Sequence, residues 1–197
     1  MNLILASASR SRGRILRDAR VPFTAVAAAI DEEALKRDYL AAGQPVDGVA
    51  AALASAKALH VRTLEGDAVV LGADQILEFS GALISKCPDL VAARQLLLRL
   101  RGKTHRLISA LALARQGEIV WSHVSHATLH MRPFSDAFLE AYLAAEGEAL
   151  LAGVGCYRLE GMGAQLFEAV EGDYFCILGL SLQPLLAELR NQGVIDT

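Results

Sequence analysis

Helix-type and strand-type segments alternate along the whole chain, which predicts a mixed α/β or α+β fold rather than an all-β one. Apolar runs of strand type occur at 3–6, 68–79, 105–115 and 118–131, and helical spacing occurs at 10–20, 49–63 and 89–101. The 197 residues are 53% hydrophobic, enough to bury a core and too apolar for disorder. Residues 1–197 are read as one domain, with no repeat, linker or low-complexity tract.

The elements follow in order. Residues 3–6 form a buried strand, and Ser7-Ala8-Ser9 leads into a basic helix with Ser9 as its cap. Residues 21–30 are expected to be extended. Asp31-Glu32-Glu33 then opens a helix to about Ala41. The Ala-rich stretch 49–63 is helical and carries Lys57. Residues 68–79 form a strand holding Asp74-Gln75, and Ser80-Gly81 turns it into 82–85. The helix 89–101 ends at Gly102. Strands 105–115 and 118–131 join at Gln116-Gly117, and Ser135 caps a helix to about Ala145. Gly153, Gly155, Gly161 and Gly163 mark a loop-rich stretch. Residues 174–180 read as a last strand and 183–192 as a last helix.

The bulk numbers exclude several classes. A net charge of −3 implies no basic face for duplex nucleic acid. Cys87, Cys156 and Cys176 are odd in number and lack metal-type spacing, which fits reduced thiols better than a disulfide framework. The opening apolar run is too short for a signal segment, and no run approaches the ~18 residues of a membrane helix. The expectation is a soluble, cytoplasmic protein.

Several residues could carry chemistry. A strand running through Ser7-Ala8-Ser9 into a helix gathers free N–H groups and a positive helix end, which suits phosphate; Ser7, Ser9 and Arg12 add donors. An ordinary capped helix with solvated arginines is the alternative. Asp74 stands in an apolar strand, so it is paired, at a strand end, or metal-bound. Asp31-Glu32-Glu33 can hold a hard cation or simply favour a helix start. Lys57 and Lys86 are lone cations among apolar residues, or merely solvated charges. His123, His126 and His130 are no metal cluster. In a strand His123 faces away from the other two, and His126 and His130 lie ~13 Å apart.

Taken together these segments resemble the Maf family of nucleoside triphosphate pyrophosphatases, in order and along nearly the whole chain. The matching pieces are Leu5-Ala6-Ser7-Ala8-Ser9, Asp31-Glu32, Ala56-Lys57-Ala58, Gly72-Ala73-Asp74-Gln75, Lys86, Gly102-Lys103-Thr104-His105, Glu160-Gly161, Gly172-Asp173-Tyr174 and Gly179-Leu180. The chain departs from the family at Arg10, Ser11, Ser85, Cys87 and Ser181.

The resemblance implies a mixed twisted sheet flanked by helices, in two lobes with a central cleft, of the Maf and inosine triphosphatase type. It implies hydrolysis of a nucleoside triphosphate to monophosphate and pyrophosphate with Mg²⁺ or Mn²⁺. Asp74 would be catalytic. Ser7, Ser9, Arg12, Lys57 and Lys86 would bind substrate, and Asp31, Glu32 and Asp74 would hold the metal. Ser11, Gln75 and Glu160 would set base specificity, with Gln75 and Glu160 similar to the branch that prefers 7-methyl-GTP. A thymidine or uridine triphosphate preference is the competing expectation. Others are a non-catalytic nucleotide-binding regulator of cell division and a phosphatase releasing orthophosphate. A homodimer and a role in cleansing the nucleotide pool also accompany the family.

Overall fold

The structure is a computed structural model that describes residues 1–61 and 67–196. Its strands are β1 (Leu3–Leu5), β2 (Thr24–Ala25), β3 (Val69–Phe79), β4 (Ala82–Ile84), β5 (Thr104–Arg115), β6 (Glu118–Met131) and β7 (Phe167–Gly172). Its helices are α1 (Arg10–Asp18), α2 (Glu32–Ala41), α3 (Val49–His60), α4 (Leu90–Leu100), α5 (Asp136–Glu146), α6 (Tyr174–Ile177) and α7 (Leu182–Asn191). Among the described residues the strands form one sheet in the order β2-β1-β3-β5-β6-β7, with β4 paired to β3. β1 runs parallel to both β2 and β3, whereas β3–β4 and β6–β7 are antiparallel. This is the mixed α/β sheet the sequence predicts.

The chain divides into two compact units. The first is built from Met1–Gln75, Ile108–Ser125 and Asp173–Thr197. Its core joins Leu3 and Leu5 of β1, Ile15 and Leu16 of α1, Val69 and Leu71 of β3, and Leu111 and Leu113 of β5 with Leu185 and Leu189 of α7. Each such side chain contributes roughly 1.5–3 kcal/mol by leaving water. The helical faces follow the sequence pattern: Leu182, Leu185 and Leu189 of α7 recur at three- and four-residue spacing, and Ile15 and Leu16 of α1 stand four and three residues before Ala19, which packs on the same core.

One glycine fixes how α3 meets β3. A Cβ at Gly72 would lie 2.0 Å from the Ala54 carbonyl oxygen and 2.7 Å from the Ala58 nitrogen. The absence of a side chain there lets the helix backbone rest on the strand. Lys57, between those two contacts, is thereby brought against β3.

The second unit comprises Ile76–Leu107 and His126–Gly172. Ala93, Leu96, Leu97 and Leu100 of α4 are buried in it, as are Leu139 and Tyr142 of α5. His105, Tyr157 and Phe167 form an aromatic cluster with ring centroids 4.9–6.1 Å apart. The Ser80-Gly81 turn has both residues at positive φ (54° and 81°), which suits a tight hairpin between β3 and β4.

One expectation changes, and two spans need finer bounds. Residues 174–180 are not a strand. Gly172, at φ 115°, ends β7, and the Asp173 carboxylate accepts a hydrogen bond from the Cys176 backbone N–H at 2.8 Å, capping the short helix α6. A short apolar run cannot by itself separate strand from helix, and the cap decides it here. The extended segment 21–30 keeps strand pairing only at Thr24–Ala25. The third helix is described to His60, and the last residues of the expected span, 62–63, lie outside the described residues.

Candidate functional site

The first unit assembles most of the predicted residues just past the point where β1 and β3 pair in parallel. The register joins Leu5 to Leu71, so Ser7 and Asp74 both follow the carboxyl ends of the paired segments. Ligands of open α/β sheets gather outside such strand ends.

Ser7, Ser9 and Arg12 form one hydrogen-bonded turn. The Ser7 hydroxyl oxygen accepts from the Ser9 N–H and from Arg12 Nη1, each at 3.2 Å. Ser9 caps α1 by accepting from the Arg12 N–H at 3.4 Å. Arg12 Nε donates to the Gly179 carbonyl at 2.9 Å. A guanidinium has five N–H donors, so two are held by the protein and three remain. Burial lowers the Arg12 pKa from its ordinary value, while the Asp74 and Glu32 charges act to raise it. The side chain stays cationic, since arginine starts far above neutrality.

The second grouping is a carboxylate–ammonium–carboxylate row. Lys57 Nζ lies 2.5 Å from Asp74 Oδ1 and 2.8 Å from Glu32 Oε1. Lys57 and Asp74 are buried, at 8% side-chain exposure each, and Glu32 is 43% exposed. A buried ammonium is tolerated because two carboxylates share it.

The acidic pair divides in the structure. Asp31 Oδ1 accepts from the Ala34 N–H at 2.9 Å and so caps α2, while Glu32 reaches Lys57. Among the described residues no group of three or more His, Cys, Asp or Glu side chains is placed to hold a metal ion. The three-carboxylate set expected from the sequence is therefore not assembled by the protein alone. Two hard oxygen donors, Glu32 and Asp74, do converge on one positive centre.

Ser11 and Gln75 are engaged by the chain itself. The Ser11 hydroxyl donates to the Leu178 carbonyl at 3.1 Å. Gln75 Nε2 donates into a group of three acceptors: Ser109 Oγ at 3.0 Å, the Cys176 carbonyl at 2.8 Å and the Ile177 carbonyl at 3.0 Å.

The remaining predicted residues belong to the second unit. Lys86 follows β4 and is exposed. Glu160 Oε1 lies 3.9 Å from Arg158 Nε, and Arg158 Nη1 also meets Glu146 at 3.1 Å. The histidines behave as polar strand residues. His123 stacks on Trp121 with centroids 5.8 Å apart, and His130 meets Thr104 and Glu171 at 3.0 and 3.2 Å.

Sequence reasoning missed two parts. The Gly179 carbonyl that holds Arg12 carries no side-chain signal. Ser109 had one, as a lone hydroxyl among the apolar residues 107–114, and it is fully buried.

Fold and site together define a class: a mixed α/β protein that brings two cations and two carboxylates to the carboxyl ends of parallel strands. The chain belongs to the Maf-like protein family, whose model matches residues 2–192. It is 49% identical over 195 residues to the nucleoside triphosphate pyrophosphatase of Granulibacter bethesdensis, covering 99% of each chain. It is 48% identical over 194 residues to the 7-methyl-GTP pyrophosphatase of Rhizobium meliloti, covering 98% of each. A nucleoside triphosphate pyrophosphatase of Maricaulis maris is 50% identical over 193 residues, covering 98% of this chain and 97% of its own.

Proposed function

We propose that this protein hydrolyses the α–β phosphate bond of a nucleoside triphosphate, releasing the monophosphate and pyrophosphate. The observation that carries the reading is the Lys57 ammonium shared by Asp74 and Glu32 beside the Arg12 guanidinium. Relatives of both printed names cover nearly the whole chain, which supports the reaction class.

Asp74 is the base. Its Oδ1 is held by Lys57, which orients the carboxylate and leaves Oδ2 to meet the attacking water. The water oxygen bonds to the α-phosphorus as the bond to the bridging oxygen breaks. Charge then grows on the departing pyrophosphate, and the three unused Arg12 N–H groups and the third Lys57 N–H are donors for it. Ser7 keeps Arg12 in register, and Ser9 opens α1, whose N-terminal N–H groups favour phosphate.

A divalent cation, Mg²⁺ or Mn²⁺, fits the oxygen donors Glu32 and Asp74 and would neutralise phosphate charge. With only two protein carboxylates, triphosphate oxygens and water would fill its remaining positions. By family resemblance Lys86 is a further phosphate cation, and Gln75 and Glu160 are each specificity residues for a guanine-type ring such as that of 7-methyl-GTP. Cytoplasmic residence and pairing into a homodimer accompany the proposal. Among the described residues, no helix is long and apolar enough to cross a membrane.

The test is product analysis with Mg²⁺ or Mn²⁺ on a panel of 7-methyl-GTP, GTP, UTP and dTTP, measuring pyrophosphate and orthophosphate separately. Pyrophosphate release that is lost in Asp74→Asn is expected. Orthophosphate release would overturn the bond assignment, and a clear preference for UTP or dTTP would overturn the base assignment.

A further inference from the structure

Gln75 sits one residue beyond the proposed base, and its amide is not free to turn. Three acceptors crowd its nitrogen within 3.0 Å, and two of them are the backbone carbonyls of Cys176 and Ile177, which can only accept. The third is Ser109. Its own O–H donates to the Cys176 carbonyl at 2.8 Å, so toward Gln75 its oxygen is an acceptor as well. A flipped amide would set Oε1 against three lone-pair-bearing oxygens. The orientation therefore follows from the hydrogen-bond network.

Gln75 Oε1 meets no donor among the described residues, and it belongs to a half-buried side chain. The Gln75 amide carbon also lies beside the proposed phosphate site. A Cβ built on Gly179 would be 3.7 Å from Arg12 Nε and 3.8 Å from Gln75 Cδ, so one point at Gly179 touches both side chains. Gly179, at φ 89°, leaves that space open.

We propose that Ser109, acting with the Cys176 and Ile177 carbonyls, is a positioning residue that helps hold the Gln75 amide nitrogen inward, so that Gln75 offers the nucleobase only its carbonyl oxygen and selects rings with an N–H donor at the facing edge. This rests on the reading of the site as a nucleotide site. A guanine or hypoxanthine ring carries N1–H, whereas adenine carries a bare N1 acceptor there. An acceptor facing that edge attracts the first pair and repels the second. Ser109 is fully buried on β5, so it acts on the base only through Gln75.

The experiment is a double-mutant cycle read on base choice, with Ser109→Ala, Ser109→Thr, Gln75→Leu and the pair Gln75→Leu/Ser109→Ala. kcat and KM are measured for GTP, ITP and ATP. Binding of their non-hydrolysable α,β-methylene analogues is measured by calorimetry. In Ser109→Ala the preference for GTP and ITP over ATP should fall roughly three- to ten-fold through KM, the size of one neutral hydrogen bond. Ser109→Thr should restore it, and Ser109→Ala should change nothing further once Gln75 is leucine. An unchanged preference in Ser109→Ala, or an effect that persists without the Gln75 amide, would overturn the assignment. If the wild type released no pyrophosphate, the proposed reaction would fail instead. The calorimetric cycle would still decide the role of Ser109, and indifference of the wild type to the base would overturn it.

Discussion

The two units handle buried polarity in opposite ways. Among the described residues, the buried polar side chains Ser7, Lys57, Asp74, Ser109 and Ser181 belong to the first unit, and His105 to the second. The first unit buries opposite charges against each other. The second buries a ring whose Nε2 meets the Tyr157 hydroxyl at 2.8 Å and whose Nδ1 has no partner. Burial pushes the His105 pKa down to about 4, with Glu78 opposing the shift, so the ring is neutral near pH 7. Buried charge is costly unless it is used or paired. Among the described residues the buried ion pair belongs to the first unit, and the second buries a neutral ring instead.

The largest effects should come from separating charge from packing in the first unit. Asp74→Asn removes the base and keeps the shape while Lys57 retains Glu32, and turnover should fall by about 10²–10⁴-fold in protein that still folds. Lys57→Met strands Asp74 as a buried unpaired carboxylate, and urea unfolding should show a loss of about 3–5 kcal/mol. The double variant Lys57→Met/Asp74→Leu replaces the pair by apolar side chains. It should recover most of that stability and none of the turnover. A double variant as unstable as Lys57→Met alone would mean the pair is structural.

The second unit should respond to acid. The folded pKa of His105 is depressed to about 4 from an unfolded value near 6.5, so the unfolded state binds more protons between those limits. Stability is full above about pH 6.5 and falls as pH drops toward 4, by up to about 3 kcal/mol at 1.36 kcal/mol per unit. His105→Phe should flatten that part of the stability–pH curve. An equally steep curve in the variant would place the acid sensitivity elsewhere.

What could be read from the sequence divides along the same line. Periodicity and turn chemistry gave the strands up to β6, the capped helices and the two hairpins, because each is set by residues close in the chain; β7, at the end of the glycine-rich stretch, was not read. The Ser7–Arg12 turn was legible for the same reason. The Lys57 contacts were not, since they join residues 17 and 25 positions away across a helix-on-strand packing that Gly72 permits. The fate of Asp31 turned on a cap, and that of segment 174–180 on Asp173, both local choices with a competing local reading. The Gly179 carbonyl is backbone, and no residue pattern announces it.

Close-packed glycines test the contrast at intermediate size. Gly72→Ala would set a methyl 2.0 Å from the Ala54 carbonyl, and Gly163→Ala in the second unit would set one 2.4 Å from the Arg158 carbonyl. Both should lose about 1–3 kcal/mol or somewhat more by overpacking. Only Gly72→Ala moves the helix that carries Lys57, so it alone should also lower kcat at a temperature where both variants are folded. Equal kcat in the two would break the link between α3 placement and chemistry.

The smallest effect comes from an ion pair of the second unit that uses the same chemistry as Lys57–Asp74 in a wet setting. Arg94 Nε lies 2.7 Å from Glu140 Oε1, a length close to that of the buried pair, but the two side chains are 41% and 57% exposed. Water already solvates both charges, so pairing them adds little, and salt screens what remains. Arg94→Gln should change stability by about 0.2–1 kcal/mol at low salt and by less in 1 M salt, measured by urea unfolding. Lys57→Met should keep nearly its full penalty in 1 M salt, because mobile ions do not enter a buried pair. Similar salt sensitivity in the two variants would show that solvent reaches Lys57, and the distinction between a charged interior and a charged surface would then fail.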